Sequence, residues 1–350
     1  MDKKTVFFMG ISILILIVML YFVGIEQVIA ALEQAKLEYI GLAIAMQVFT
    51  YYLFTLRWKI LNNLIGIKVG IKTLLPMLMV GLAVNNITPS GRGGGEPVRA
   101  YILAREEGYP VEETFATVVA DRALDTFPFV VLAIITIVGM ALSFSFDLWL
   151  LVVMVLAVSA IVLLLILIIY MSINPAFGKR VDGWMISLVR RFYKKNSAEL
   201  EEKIHNAIKG FQDTMKMVIS NKKVLYYAMP LSFVIWICEI LRVYFVFLAF
   251  GAAISPIVIG EVFIVASLVG MIPLLPGGLG AVDGIMILFY SAAGITASVS
   301  AAATVIERLI SFWMATIIGL MIIPHYGASA INKASLSYNE QIEELSEIED

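Results

Sequence analysis

Two carboxylates, Glu96 and Asp283, each close a proline–glycine break in apolar sequence. The breaks read Thr88-Pro89-Ser90-Gly91-Arg92-Gly93-Gly94-Gly95-Glu96 and Leu275-Pro276-Gly277-Gly278-Leu279-Gly280-Ala281-Val282-Asp283. An acid–arginine doublet follows each: Asp121-Arg122 begins 25 residues past Glu96, and Glu307-Arg308 begins 24 past Asp283. An arginine precedes each, Arg57 at 32 residues before Pro89 and Arg242 at 34 before Pro276. Arg92 and Arg99 flank the first break, Asn85 and Asn86 stand just ahead of it, Asp125 follows the first doublet, and Glu239 lies three residues before Arg242. Arginine suits bidentate contact with phosphate, and a glycine-rich break presents amide N–H groups at the start of the next helix, so both favour an anion. Carboxylates at the same depth bind a proton or cation, or compete with phosphate for the arginines. The bland reading is that glycines permit close helix packing, that each carboxylate caps its helix, and that the acids and arginines are structural ion pairs.

Covalent chemistry has little to work with. His205, His325 and Cys238 are the histidines and cysteine of the chain, none near either break, so no metal constellation or nucleophile–base set can be assembled. The first break lacks the Lys-Ser/Thr ending of a nucleotide loop. No metal or cofactor is expected, and a transporter-like role is expected ahead of an enzymatic one.

The elements that position these groups are apolar helices. The chain is 61% hydrophobic and 15% charged, with a mean hydropathy of +0.93, far from a soluble balance. Apolar runs near 6–24, 38–56, 126–142, 148–171, 224–250 and 300–323 approach or exceed the roughly 20 residues that cross a bilayer core. An all-α polytopic membrane protein of about six to eight spans follows, forming a single integral membrane domain over 1–350, its first run an uncleaved span. One cysteine excludes an intrachain disulfide.

Lys and Arg gather at the N-terminus (Lys3, Lys4), after the second run (Lys59, Lys68, Lys72) and in 174–223, where eleven basic residues face five acidic ones. The positive-inside rule then places both termini in the cytoplasm and the protein in the cell membrane, multi-pass. On that frame, 38–142 and 224–324 are two units of inverted topology, each with a broken, re-entrant helix pair. Segment 174–223 is read as a basic cytoplasmic loop. Within it Val181, Trp184, Met185, Leu188, Val189 and Phe192 recur at helical spacing beside Arg190, Arg191, Lys194 and Lys195, as in a helix on anionic headgroups, or as a plain connector. The acidic tail, 325–350, is read as a solvated end.

These residues resemble the family that contains the membrane region of lysylphosphatidylglycerol synthetase/flippase and its stand-alone relatives. The resemblance rests on Leu56-Arg57-Trp58, on Asn86-Ile87-Thr88-Pro89 with Gly91-Arg92 and Gly94-Gly95-Glu96-Pro97-Val98-Arg99, on Ala120-Asp121-Arg122-Ala123-Leu124-Asp125, on Pro276-Gly277-Gly278-Leu279-Gly280, and on Glu307-Arg308. Asp121 stands where relatives often have Glu, which shortens the reach of the charge. No synthetase-like domain follows by residue 350, so aminoacylation is not carried over. What the resemblance implies is flippase-like movement of a phospholipid or polyprenyl-linked lipid between leaflets. The expected headgroup site is Asn86, Arg92, Glu96, Arg99, Asp121, Arg122, Asp125, Asp283, Glu307 and Arg308, supported by Arg57, Glu239 and Arg242. Membrane lipids are the expected partners, with a lipid-modifying enzyme or glycosyltransferase as a further one and no nucleic acid. Transport of a small charged solute, or service as helper to a lipid-modifying enzyme, stand as alternatives.

Overall fold

A computed structural model describes residues 25–88, 93–143, 148–192, 197–271 and 278–326. The apolar run at 6–24, Pro89 to Arg92, Lys194, Lys195, Pro276, Gly277 and the tail from 327 lie outside the described residues. What is described is helical, with no strand among those residues. The helices are α1 (Ile25–Glu33), α2 (Leu37–Leu64), α3 (Ile71–Ile87), α4 (Gly95–Glu107), α5 (Val111–Ser143) and α6 (Leu148–Ile173). There follow α7 (Pro175–Phe192), α8 (Ser197–Ser220), α9 (Val224–Ala249), α10 (Pro256–Gly270), α11 (Ala281–Ala292) and α12 (Ala297–Tyr326). Five of them, α2, α5, α6, α9 and α12, are long and apolar enough to cross a bilayer, and α3, α10 and α11 are shorter apolar helices. The chain is therefore an all-α, multi-pass membrane protein.

Several helices outrun the apolar runs that announce them. The run at 38–56 continues as helix to Leu64, and the run at 126–142 belongs to a helix that begins at Val111. The extensions carry Arg57, Asp121, Arg122 and Asp125, charges that the helices accommodate because each is paired (below). Outward faces fit hydrocarbon. On α6, Leu156, Leu163, Leu164 and Ile166 are exposed, as are Ile134, Ile135 and Val138 on α5.

Two apolar cores hold the helices. Trp58, Leu74, Met77, Ala100, Leu103 and Val118 join α2, α3, α4 and α5. Val243, Phe247, Ile259, Val262, Met286, Tyr290 and Ala303 join α9, α10, α11 and α12, with the Phe247 and Tyr290 rings edge to face at 4.5 Å. Helices α2 and α9 pack along one another and so link the two cores. Phe129, Trp236 and Ile264 form a third seam among α5, α9 and α10, against which Val158 of α6 packs.

Gly95 and Gly280 are demanded by geometry. A Cβ on Gly95 would collide with the Gly81 carbonyl, so α4 lies against α3 backbone to backbone. Gly280, at φ +80, turns the chain into α11 in a region that L side chains rarely adopt. Two helices also contain wide, π-type turns, Val224–Ala228 at the start of α9 and Leu309–Trp313 immediately after Arg308 in α12. In α5, Pro128 lacks an amide hydrogen and leaves the Leu124 carbonyl without its usual i+4 donor.

Segment 174–223 contains a helix where spacing places one, α7, and a second, α8, beyond that reading. His205 Nδ1 of α8 lies 2.8 Å from Asp182 Oδ2 of α7, and Gln212 Nε2 donates to Met171 O at 2.9 Å, which ties α8 to the end of α6. Trp184 is exposed on α7, whereas the side chains of Leu188, Val189, Arg190, Arg191 and Phe192 are outside the described ones.

Candidate functional site

Arg57 is 1% exposed in the middle of the bundle, where an unpaired cation would be prohibitively costly. Its Nε donates to Asp121 Oδ1 at 2.7 Å, and its Nη1 donates to Asp125 Oδ1 at 2.9 Å and to Ser232 Oγ at 3.0 Å. Arg99 Nη2 donates to the other Asp121 oxygen at 2.9 Å, with its guanidinium 4.9 Å from the Trp58 ring. Asp121 is thus clamped between two arginines. Glu96 accepts from Arg122 Nε and from Asn85 Nδ2, the latter at 3.1 Å. Arg122 also lies 3.8 Å from Asp125.

The second half repeats the pattern. Arg242, also 1% exposed, donates from Nη2 to Glu307 Oε1 at 2.7 Å and from Nη1 to Glu239 and Gln47. Arg308 Nε approaches Asp283 Oδ1 to 2.8 Å, an ionic contact rather than an aligned hydrogen bond, and its guanidinium lies 4.6 Å from the Phe312 ring. The spacings match as the pairs do. Arg57 and Asp121 are 64 residues apart, Arg242 and Glu307 65. Glu96 and Arg122 are 26 apart, Asp283 and Arg308 25. In each doublet the acid serves the buried arginine upstream, and the arginine serves the carboxylate after the break.

The helix starts at the breaks are occupied by protein groups. Asn85 Oδ1 accepts the Gly95 N–H at 2.6 Å, and Asp283 Oδ2 accepts the Gly280 N–H at 2.7 Å. The Gly95 and Gly280 amides are therefore capped by Asn85 and Asp283, the second of which fits the capping reading of its carboxylate. Asn86 ties the halves together, its Nδ2 donating to Phe312 O at 3.1 Å and Thr316 Oγ1 at 2.8 Å.

Between the halves lies a cavity of about 200 Å³. Its charged wall is Arg122 and Asp125 of α5, Glu239 and Arg242 of α9, and Glu307 and Arg308 of α12. Arg122 is the most exposed of these charged side chains, at 39% against 17% for Asp125. Arg57, Glu96, Arg99 and Asp121 sit behind this wall around a smaller void of about 30 Å³. Asp283 supports Arg308 from outside the lining, and Arg92 is outside the described residues. Among the described residues, no group of three or more His, Cys, Asp and Glu is arranged for a metal ion. Sequence reasoning missed Gln47, Tyr51 and Ser232. The signal available was a polar side chain within an apolar run, which is weak because such residues commonly satisfy themselves on their own helix.

A multi-pass helical membrane protein with paired arginines and carboxylates around a central cavity is the class that this fold and site define. Residues 7–319 match the model of the lysylphosphatidylglycerol synthase TM region, and the chain belongs to that family. It is 50% identical to a UPF0104 membrane protein of Methanothermobacter thermautotrophicus, over 95% of this chain and 98% of that one. It is 31% identical to a UPF0104 membrane protein of Methanocaldococcus jannaschii, over 90% and 93% respectively. It is also similar, at 23% identity, to the glycosyltransferase AglD of Haloferax volcanii, covering 97% of this chain and 56% of AglD.

Proposed function

We propose that this protein moves a phospholipid or a polyprenyl-linked lipid between leaflets, the headgroup passing through the central cavity while the tails stay in hydrocarbon. One observation carries the reading: the cavity is shared by both halves, and Arg122, paired with Glu96 and Asp125, is the most exposed of the charged side chains in its wall. Its volume of about 200 Å³ suits a headgroup, being smaller than the several hundred Å³ of a site that encloses a drug-sized ligand. Arg122 and Arg308 meet the phosphate, and Glu96 and Asp283 hold those arginines until it arrives. Arg57, Arg99, Asp121, Arg242 and Glu307 form the scaffold, and Arg92 contributes from the first break. The matched networks support two inverted units, 38–142 and 224–324, that rock about the α2–α9 seam to open the cavity to alternate leaflets. With both termini cytoplasmic, α7 and α8 lie on the cytoplasmic face of the cell membrane, where the basic residues of 174–223 meet anionic headgroups.

Leaflet exchange of labelled phospholipids in reconstituted vesicles tests this. Wild-type protein accelerates exchange, and Arg122→Gln lowers the rate at least about tenfold, the equivalent of 1.4 kcal/mol in the barrier. If wild type matches protein-free vesicles across neutral, anionic and polyprenyl-linked headgroups, lipid translocation is excluded.

A second reading draws on the similarity to AglD, of which this chain matches 56%. It is that the membrane unit delivers or holds a lipid-linked substrate for a separate glycosyltransferase. Co-purification of a glycosyltransferase with the tagged protein from native membranes would favour it.

A further inference from the structure

Hydroxyls on apolar helices usually fold back onto the carbonyl one turn earlier, and here Thr50, Thr55, Thr126, Ser172, Ser232 and Thr316 do so. Ser300 and Thr304 of α12 do not. Both are buried, at 0% and 1% exposure, and neither hydroxyl has a hydrogen-bond partner among the described residues. The Tyr290 hydroxyl of α11, 0% exposed, is in the same condition. Ser300, Thr304 and Glu307 are spaced four and three apart, so they share one face of α12, and Tyr290 lies within electrostatic reach of Glu307 and Arg242. A line of unsatisfied oxygens therefore runs from the first turn of α12 to the acid that clamps Arg242. Leaving three buried hydroxyls unpaired costs about 1–3 kcal/mol each, a cost that bridging water removes.

The first half has no equivalent line. At the offset of 186 or 187 that relates Asp121 to Glu307 and Glu96 to Asp283, Ser300 corresponds to Thr114, Thr304 to Val118 and Tyr290 to Leu103. Thr114 Oγ1 donates to Ala100 O and Val111 O, both at 3.0 Å, and the other two are apolar. The asymmetry is what a one-sided path requires.

We propose that Ser300, Thr304 and Tyr290 line a hydrated path that brings protons from the α11–α12 turn to Glu307, making the second half the proton-coupled half of the transporter. This rests on the translocation reading for what the protons drive, though not for the path itself. The charged and titratable groups around its inner end are Arg242 and Glu239 of α9, Tyr51 of α2, Tyr290 of α11 and Arg308 of α12, with Asp125 of α5 facing Glu239. Glu307, at that inner end, shares Arg242 with Glu239 and Gln47. On the orientation above, the turn at Gly294–Thr296 faces outward, so the path opens to the outside.

Cysteine accessibility tests the path without reference to lipid. In a Cys238→Ala background, Thr304→Cys and Ser300→Cys are exposed to a small, charged methanethiosulfonate, which attacks only where the thiol meets water and ionises. Ala301→Cys and Ala302→Cys, equally buried on the other faces of α12, serve as controls. Thr304→Cys should react roughly tenfold faster than Ala302→Cys; equal, slow reaction at both overturns the path whatever the protein transports. In the second arm, leaflet exchange is measured under an imposed pH gradient and, separately, a sodium gradient. Acceleration by the pH gradient, lost in Thr304→Val, supports proton delivery. Indifference to it, or a response to sodium alone, overturns proton delivery. A reactive Thr304→Cys in a protein that exchanges no lipid under any gradient would support the path and sink the translocation reading.

Discussion

Arg57 and Arg242 each reach across the seam between the halves with one hydrogen bond. Arg57 rises from α2 yet donates to Ser232 of α9, and Arg242 rises from α9 yet donates to Gln47 of α2. Each arginine thereby joins three acceptors, two carboxylates of its own half and one uncharged oxygen of the other. A guanidinium fork serves such a set because its donors diverge in a fixed plane.

Replacing either arginine should unfold the bundle rather than merely silence it. Arg242→Gln strands Glu307 and Glu239 in the interior and should cost about 3–5 kcal/mol, as breaking buried pairs does. Arg242→Lys should recover only part of that, since an ammonium cannot span the same acceptors. Thermal unfolding in detergent, followed by tryptophan fluorescence, measures both.

The crossed hydrogen bonds are separable from the ion pairs. Ser232→Ala and Gln47→Leu should each lower stability by about 1.5–3 kcal/mol, the range for bonds to a charged partner. An effect of Ser232→Ala below a few tenths of a kcal/mol would show that Arg57 is anchored by Asp121 and Asp125 alone.

Glu96 competes with any anion for Arg122. Glu96→Gln weakens that hold, so glycerol phosphate should bind Glu96→Gln roughly tenfold more tightly than wild type, a gain of about 1.4 kcal/mol. Titration calorimetry on detergent-solubilised protein reads this directly. Weaker binding by the variant would assign Glu96 to positioning Arg122 rather than to guarding it.

Gly95 and Gly108 of the first half make unequal demands. Gly95→Ala drives a methyl into the Gly81 carbonyl and should displace α4, carrying Glu96 and Arg99 with it. Gly108, at φ +74 with open space around its Cβ position, should cost only about 1–2 kcal/mol on the same change. Relative yields of monodisperse protein after size exclusion separate the two.

Much of this arrangement can be read from sequence because charge is rare in apolar helices. Asp121-Arg122 and Glu307-Arg308 stand out against 15% charge overall, and neighbours about 100° apart on a helix must seek different partners. Those partners are Arg57 and Glu96 for the first doublet, Arg242 and Asp283 for the second. What sequence does not disclose is uncharged or geometric. Gln47 and Ser232 carry no charge to mark them, and nothing in Leu309-Ile310-Ser311-Phe312-Trp313 distinguishes a wide turn from an ordinary one. The reach of α2 to Leu64 is also hidden, since hydropathy alone ends a span where charge begins.

The wide turn at Leu309–Trp313 has a consequence for how α12 can vary. A π turn holds one residue more than the α turn it replaces, so side chains above and below it fall out of phase by roughly 100°. The stretch ending at Arg308 can therefore keep its ionic face aimed at the bundle axis while Met314 onward sets its own face independently. Single-residue insertions or deletions within that turn would rotate one end of the helix without disturbing the other, a tolerance that the uninterrupted stretch from Ser300 to Arg308 does not share.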